Sequence, residues 1–159
     1  MLNSTGNAIK LFITNPILLA CLSSWICAQF IKTVVSVLTG KIHSFVDLIE
    51  NLFWKTGGLP SSHSALVTCL CTSIGFRNGG GSDIFILAFC FLLVTVRDAM
   101  GVRLASGLQS KKINELGKDL EEKGLINYKP LKEIDGHTPL QVTLACLLGF
   151  FIAIAFAFL

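Results

Sequence analysis

Four apolar stretches alternate with polar ones along the chain. The first runs from about Pro16 to Leu38, long enough to cross a bilayer core, which takes about 20 residues. Pro16 suits its first turn, and Gln29 and Lys32 sit toward its C-terminal end. The second, Ser62 to Phe76, is short for a crossing, and the turn Arg77-Asn78-Gly79-Gly80-Gly81-Ser82 follows it. The third, Asp83 to Ala105, has a short apolar core from Ile84 to Val96, extended by Arg97, Asp98 and Arg103. The fourth, Leu140 to Leu159, is an unbroken apolar run.

Two segments between these runs behave differently. Phe45, Val46, Ile49, Leu52 and Phe53 recur at helical spacing with Asp47 and Glu50 opposite. That pattern predicts an amphipathic helix over His43–Trp54, lying at the membrane interface. Gly107 to Gly136 is polar and rich in lysine, and only Asn114–Lys123 within it reads as a helical fragment. Met1 to Asn15 is polar and is not read as a cleavable signal, because no small-residue cleavage site follows the apolar run. The expected architecture is an all-α integral membrane bundle of about four spans, two of them short, plus the interfacial helix. Residues 1–159 are read as one membrane-embedded domain.

Composition sharpens this picture. Only 14% of residues are charged and 52% are hydrophobic, whereas soluble domains carry about 25% charged residues. Lipid is therefore the expected solvent. A net charge of +3 is too small to suggest nucleic acid as a partner. The six cysteines all lie in apolar runs and form no metal-type or redox-type pair. With four spans, loops alternate sides. Of the 13 Lys and Arg, only Lys10 and Arg77 then fall on the N-terminal side. The lysine-rich side is the cytoplasmic one or its equivalent.

The unusual polar residues map to that lysine-rich side. Gln29 and Lys32 end the first span, and Ser61, Ser62 and His63 open the second. Arg97, Asp98 and Arg103 close the third, and His137 precedes the fourth. Ionisable groups within or beside spans are costly, which makes them functional candidates. The run Gly57-Gly58-Leu59-Pro60-Ser61-Ser62-His63-Ser64 offers a tight turn, a proline for the first helical turn and capping serines. Free N–H groups at such a helix start attract anions. The same run also reads as an ordinary turn opening a helix, and Lys32 and Arg103 as cations reaching for headgroups. Asp98 suits an ion pair with Arg97 or Arg103. Two histidines, two cations and a helix start together make a phosphoryl-transfer set. Cations and N–H groups stabilise phosphoryl oxygens, one imidazole attacks phosphorus, and the other protonates the leaving group. No carboxylate cluster calls for a metal, and no cofactor is expected.

These residues resemble a known family. The Gly-Gly-Leu-Pro-Ser-Ser-His run is similar to the Pro-Ser-Gly-His motif of the type 2 phosphatidic acid phosphatase superfamily. The chain resembles most closely that superfamily's divergent branch, related to acid phosphatases and vanadium-dependent haloperoxidases, and found in bacteria and plastid-bearing organisms. Further matching pieces are Asn15-Pro16, Ala28-Gln29 with Lys32, and Asp98-Ala99-Met100-Gly101-Val102-Arg103. Gly107, Gln109, Asn114 and Gly136-His137-Thr138-Pro139-Leu140-Gln141-Val142 complete them. The resemblance implies a phosphoric ester hydrolase acting on a lipid phosphate, with His137 as nucleophile and His63 as acid. It implies Lys32, Arg103, Ser61 and Ser62 as phosphate ligands. Gln141 stands where the superfamily keeps an aspartate, and Asp98, Glu133 or Asp135 are candidates to supply the missing carboxylate. The superfamily's arginine lies close before its histidine, whereas Arg103 here lies far upstream of His137. The branch implies a bacterial inner membrane or a plastid membrane, and the charge bias turns the site to the cytoplasmic or stromal side. A homodimer would complete a larger bundle like those of relatives with more spans. The competing reading is a non-catalytic membrane protein whose cationic pocket holds an anionic lipid or phosphate.

Overall fold

The computed structural model describes residues 2–40, 44, 49, 59–131, 133 and 136–158. The expected interfacial helix over His43–Trp54 lies, apart from Ser44 and Ile49, outside the described residues. Among the described residues every regular element is helical. In chain order they are α1 (Leu2–Ile13), α2 (Pro16–Leu38), α3 (Ser62–Asn78), α4 (Asp83–Arg97), α5 (Arg103–Glu122) and α6 (Pro139–Ala157). A π-helical turn, Asp98–Val102, joins α4 to α5.

The helix starts follow the local chemistry. Asn15 caps α2, its side chain accepting from the Ile17 N–H at 2.9 Å, and Pro16 fills the first position. Ser61 caps α3 and Ser82 caps α4 through their hydroxyls. Pro60 therefore stands before the cap rather than inside the first turn, where the sequence reading put it. Thr138 and Gln141 form a reciprocal capping box on α6, a T-x-x-Q arrangement that satisfies two orphan N–H groups at once.

Among the described residues three helices are long and apolar enough to cross a membrane: α2, the continuous α4–α5 rod, and α6. At 17 residues, α3 rises only about 25 Å, somewhat less than a bilayer core. It lies against α2, α4 and α6, and that central position explains its weaker apolar character. Small residues build the core. Ala145, Gly149 and Ala153 recur every four residues along α6, and Ser61, Ala65, Cys69 and Ser73 do so along α3. Ala28, Ala65 and Ala145 meet with no exposed surface. A Cβ added to Gly149 would fall 2.1 Å from the Ala65 carbonyl oxygen, so the two backbones touch. Such small-residue contacts are how helices approach in lipid, where apolar burial drives nothing. By contrast α4 shows Ile84, Leu87, Phe91 and Val94 outward, as a lipid-facing helix should.

The polar stretch before Asn15, for which no element was expected, is helical as α1. One local expectation is corrected. The segment beyond Arg103 is a continuous helix to Glu122, not a fragment starting at Asn114. Good helix formers such as Leu104, Lys111, Glu115 and Leu120 carry it through Gly107 and Gly117.

Candidate active site

Antiparallel neighbours carry the polar residues to one end of the bundle. Helix α3 starts there and α4 ends there, while α6 leaves from it. The cavity between them measures about 300 Å³. Its lining is mixed, with Ser61, His63, Asp98, Arg103 and His137 among the polar residues and Val67, Phe91 and Val94 among the apolar ones.

Arg103 reaches the cavity because of the π turn. Five residues along an α-helix turn the chain to about 140° from where it began. The wider turn, closed by the Arg103 N–H on the Asp98 carbonyl, brings Asp98 and Arg103 to one face. There Arg103 Nε donates to Asp98 Oδ2 at 2.6 Å. Among the described residues this is the guanidinium's only ion pair, and Arg103 is one of the residues lining the cavity. Of the two partners considered for Asp98, Arg103 is the one it takes. The carboxylate is thereby engaged on a cation rather than on His137.

His137 is buried, at 8% exposure, and its N–H donates to the Ala99 carbonyl of the π turn at 3.2 Å. The adjoining Gly136 lies directly on Leu104, where a Cβ would come within 2.2 Å of backbone. His137 Nδ1 is sealed and has no hydrogen-bond partner among the described residues. That leaves Nε2 as the ring nitrogen able to reach a substrate in the cavity. Burial lowers the proton affinity of the ring below the ordinary imidazole range. The Gln141 amide opposes this, and the charges of Lys32, Arg103 and His63 add to it. Gln141 Oε1 is nonetheless committed to the Thr138 N–H at 3.0 Å, so it approaches the ring without holding Nδ1 in hydrogen-bond geometry.

His63, the second residue of α3, faces the cavity, and the charges of Arg103, Lys32 and Asp98 all act on it. Lys32 is 5% exposed on α2 and lies close enough to influence both histidines. Ser61 is 1% exposed, and its hydroxyl pairs with Ser64 Oγ at 2.9 Å. The structure therefore gathers His63, His137, Arg103, Asp98 and Ser61 in one cavity, with Lys32 nearby.

The remaining candidates stand apart. Ser62 opens α3 without lining the cavity, and Gln29 is buried with its Oε1 unpartnered among the described residues. Glu133 accepts from Asn114 Nδ2 at 2.8 Å rather than lining the cavity. It is not in place to orient His137. Asp135, like Gly57 and Gly58, lies outside the described residues. Among those described, no three His, Cys, Asp or Glu side chains gather as a metal site.

Sequence reasoning passed over two features here. The T-x-x-Q capping box was legible and gives Gln141 a structural task. The hydrogen-bonding of Asn114 was not legible, since its partners Tyr128, Leu131 and Glu133 come from an irregular segment.

The sequence model of the Divergent PAP2 family matches residues 13–152. The chain is also 34% identical over 159 residues to the uncharacterized membrane protein YuiD of Bacillus subtilis (strain 168). That match covers 92% of this chain and 96% of the relative. No solved structure matches the chain.

Proposed function

Because the chain belongs to the Divergent PAP2 family, we propose that this integral membrane protein is a lipid-phosphate phosphatase. The observation that carries the reading is the convergence of His63, Arg103 and His137 on one cavity that Val67, Phe91 and Val94 also line. A phosphate would meet the histidines and cations, while the lipid tail would leave past Phe91 and Val94 toward the bilayer. The substrate is a phosphomonoester or diphosphate such as phosphatidate, phosphatidylglycerophosphate or a polyprenyl diphosphate.

The chemistry has two steps. Neutral His137 Nε2 forms a bond to phosphorus as the ester P–O bond breaks, and His63 passes its proton to the departing oxygen. Burial helps by keeping His137 unprotonated. The negative charge of the bound phosphate favours the protonated form of His63. In the second step His63 takes a proton from water as the oxygen bonds phosphorus and the P–N bond breaks. Arg103 and Lys32 stabilise the charge on the phosphoryl oxygens throughout. The whole chain acts as one phosphatase domain in a bacterial inner membrane or a plastid membrane, with the site on the cytoplasmic or stromal side.

Gln141 favours a second reading. An amide bound into a capping box cannot supply the charge that an aspartate would give His137. A binding protein for anionic lipid would tolerate that. Phosphate release from a panel of lipid phosphates, by purified protein in detergent, separates the two. Wild type releases phosphate and vanadate blocks it. His63→Ala loses about 10²- to 10⁴-fold in rate, and His137→Ala loses all turnover. Full activity in His137→Ala would sink the phosphatase mechanism. Binding of anionic lipid without any release would establish the second reading.

A further inference from the structure

After α5 ends, the chain doubles back along it as a strap, from Leu125 to Glu133, before reaching His137. Its described residues form no regular element, so side chains must hold it. Asn114, 6% exposed, does most of this. Its Nδ2 donates to the Leu131 carbonyl at 3.0 Å and to Glu133 Oε1 at 2.8 Å. Its Oδ1 accepts from the Leu131 N–H at 2.8 Å and from the Tyr128 hydroxyl at 2.6 Å. Both donors and both acceptor positions of the amide are used. One turn further on, the Tyr128 ring covers Gly117, where a Cβ would fall 2.5 Å from it. Glu121 Oε1 then accepts from the Tyr128 N–H at 3.1 Å. Asn114, Gly117 and Glu121 thus form a rail along one face of α5.

We propose that Asn114 is a positioning residue that clasps the strap to α5 and thereby sets the place of His137 against the cavity. This rests on the phosphatase reading for its consequence in catalysis, though not for its geometry. Three residues lie between Glu133 and His137. The last of them, Gly136, lies on Leu104, and from there the chain is fixed by the His137 backbone N–H on Ala99 and by the α6 capping box. The clasp supplies a second hold on the upstream side. Without it, Gly136 on Leu104 is the described hold that remains upstream of His137.

Asn114→Asp is the sharpest probe. It is nearly isosteric, but it replaces a donor with a charged acceptor facing the Leu131 carbonyl and the Glu133 carboxylate. Adding Glu133→Gln restores a donor on the opposite side of that contact. The first readout needs no turnover. Diethyl pyrocarbonate modification is followed residue by residue by mass spectrometry in the resting protein. His137 is expected to label about tenfold faster in Asn114→Asp and Asn114→Ala, equivalent to about 1.4 kcal/mol less restraint. His63 labels as in wild type, and adding Glu133→Gln brings His137 back toward wild type. Gly117→Ala, which displaces the Tyr128 ring without touching Asn114, gives the same His137-specific rise.

The second readout is kinetic. In Asn114→Ala, kcat falls about a hundredfold, while KM stays near wild type because Lys32 and Arg103 are unaltered. Unchanged His137 labelling in all three single variants overturns the clasp, as does an equal rise at His63, which would mean general loosening. An inactive wild type whose His137 labelling still responds would overturn the phosphatase reading and leave the clasp standing.

Discussion

Burial sets the protonation of His137, and nearby charge adjusts it. The ring's proton affinity lies below the ordinary imidazole value of about 6.5. Lys32 contributes to the lowering, so Lys32→Met raises it. Titration of the His137 ring resonances by NMR in micelles should show wild type protonating at lower pH than the variant. A variant that protonates at the same pH as wild type would remove Lys32 from the site's electrostatics. The Arg103–Asp98 pair makes a second test. Both side chains are about 40% exposed, at 41% and 39%, so solvent screens the pair and its worth is about 1 kcal/mol or less. Asp98→Asn should raise KM up to about fivefold with little change in kcat, since it loosens a phosphate ligand and leaves both histidines intact. Steady-state phosphate release gives that split directly.

At the scale of elements, small residues and one irregular turn do the positioning. Gly149 permits α6 to lie on the α3 backbone beside Ala65 and Cys69. Even a methyl group there forces the helices apart. Gly149→Ala should therefore destabilise the fold by about 1–3 kcal/mol, as overpacking does. A lowered unfolding temperature in detergent would register this, and an unchanged one would contradict the contact. The consequence reaches the site, because α3 carries Ser61 and His63 while α6 follows directly on His137. The π turn acts on the other wall. It places Arg103 on the same face as Asp98 and presents the Ala99 carbonyl to His137. A straight α-helix through Asp98–Val102 would point Arg103 away from its partner.

For the whole molecule, the directions of α3, α4 and α6 decide which face holds the chemistry. Helix α6 leaves the site and rises about 28 Å over its 19 residues. Its end meets the start of α2 and the end of α3 around a second cavity, lined by Pro16, Ser73, Arg77 and Phe156. The C-terminal end of α6 thus lies across the bundle from His137. With the lysine-rich face inward, alkaline phosphatase fused after Leu159 in a bacterial host should be active, and a fused green fluorescent protein dark. The opposite pattern would place the site on the outer face.

The membrane class, the all-helical fold and the approximate positions of α2, α3, α4 and α6 were determined by the sequence itself. Long apolar runs leave the backbone no partners but its own, and helices meet that need locally. The gathering of His63, Arg103 and His137 toward one side was legible too, because spans alternate direction and each polar residue lies near a span's end. Other features waited for tertiary structure because distance along the chain hides them. The continuity of α5, the π turn, and the contact of Gly149 with Ala65 depend on packing between elements rather than on any local period. The same holds for Glu133, which sequence offered as a partner for His137. It bonds Asn114 instead, because the strap between them folds back along α5.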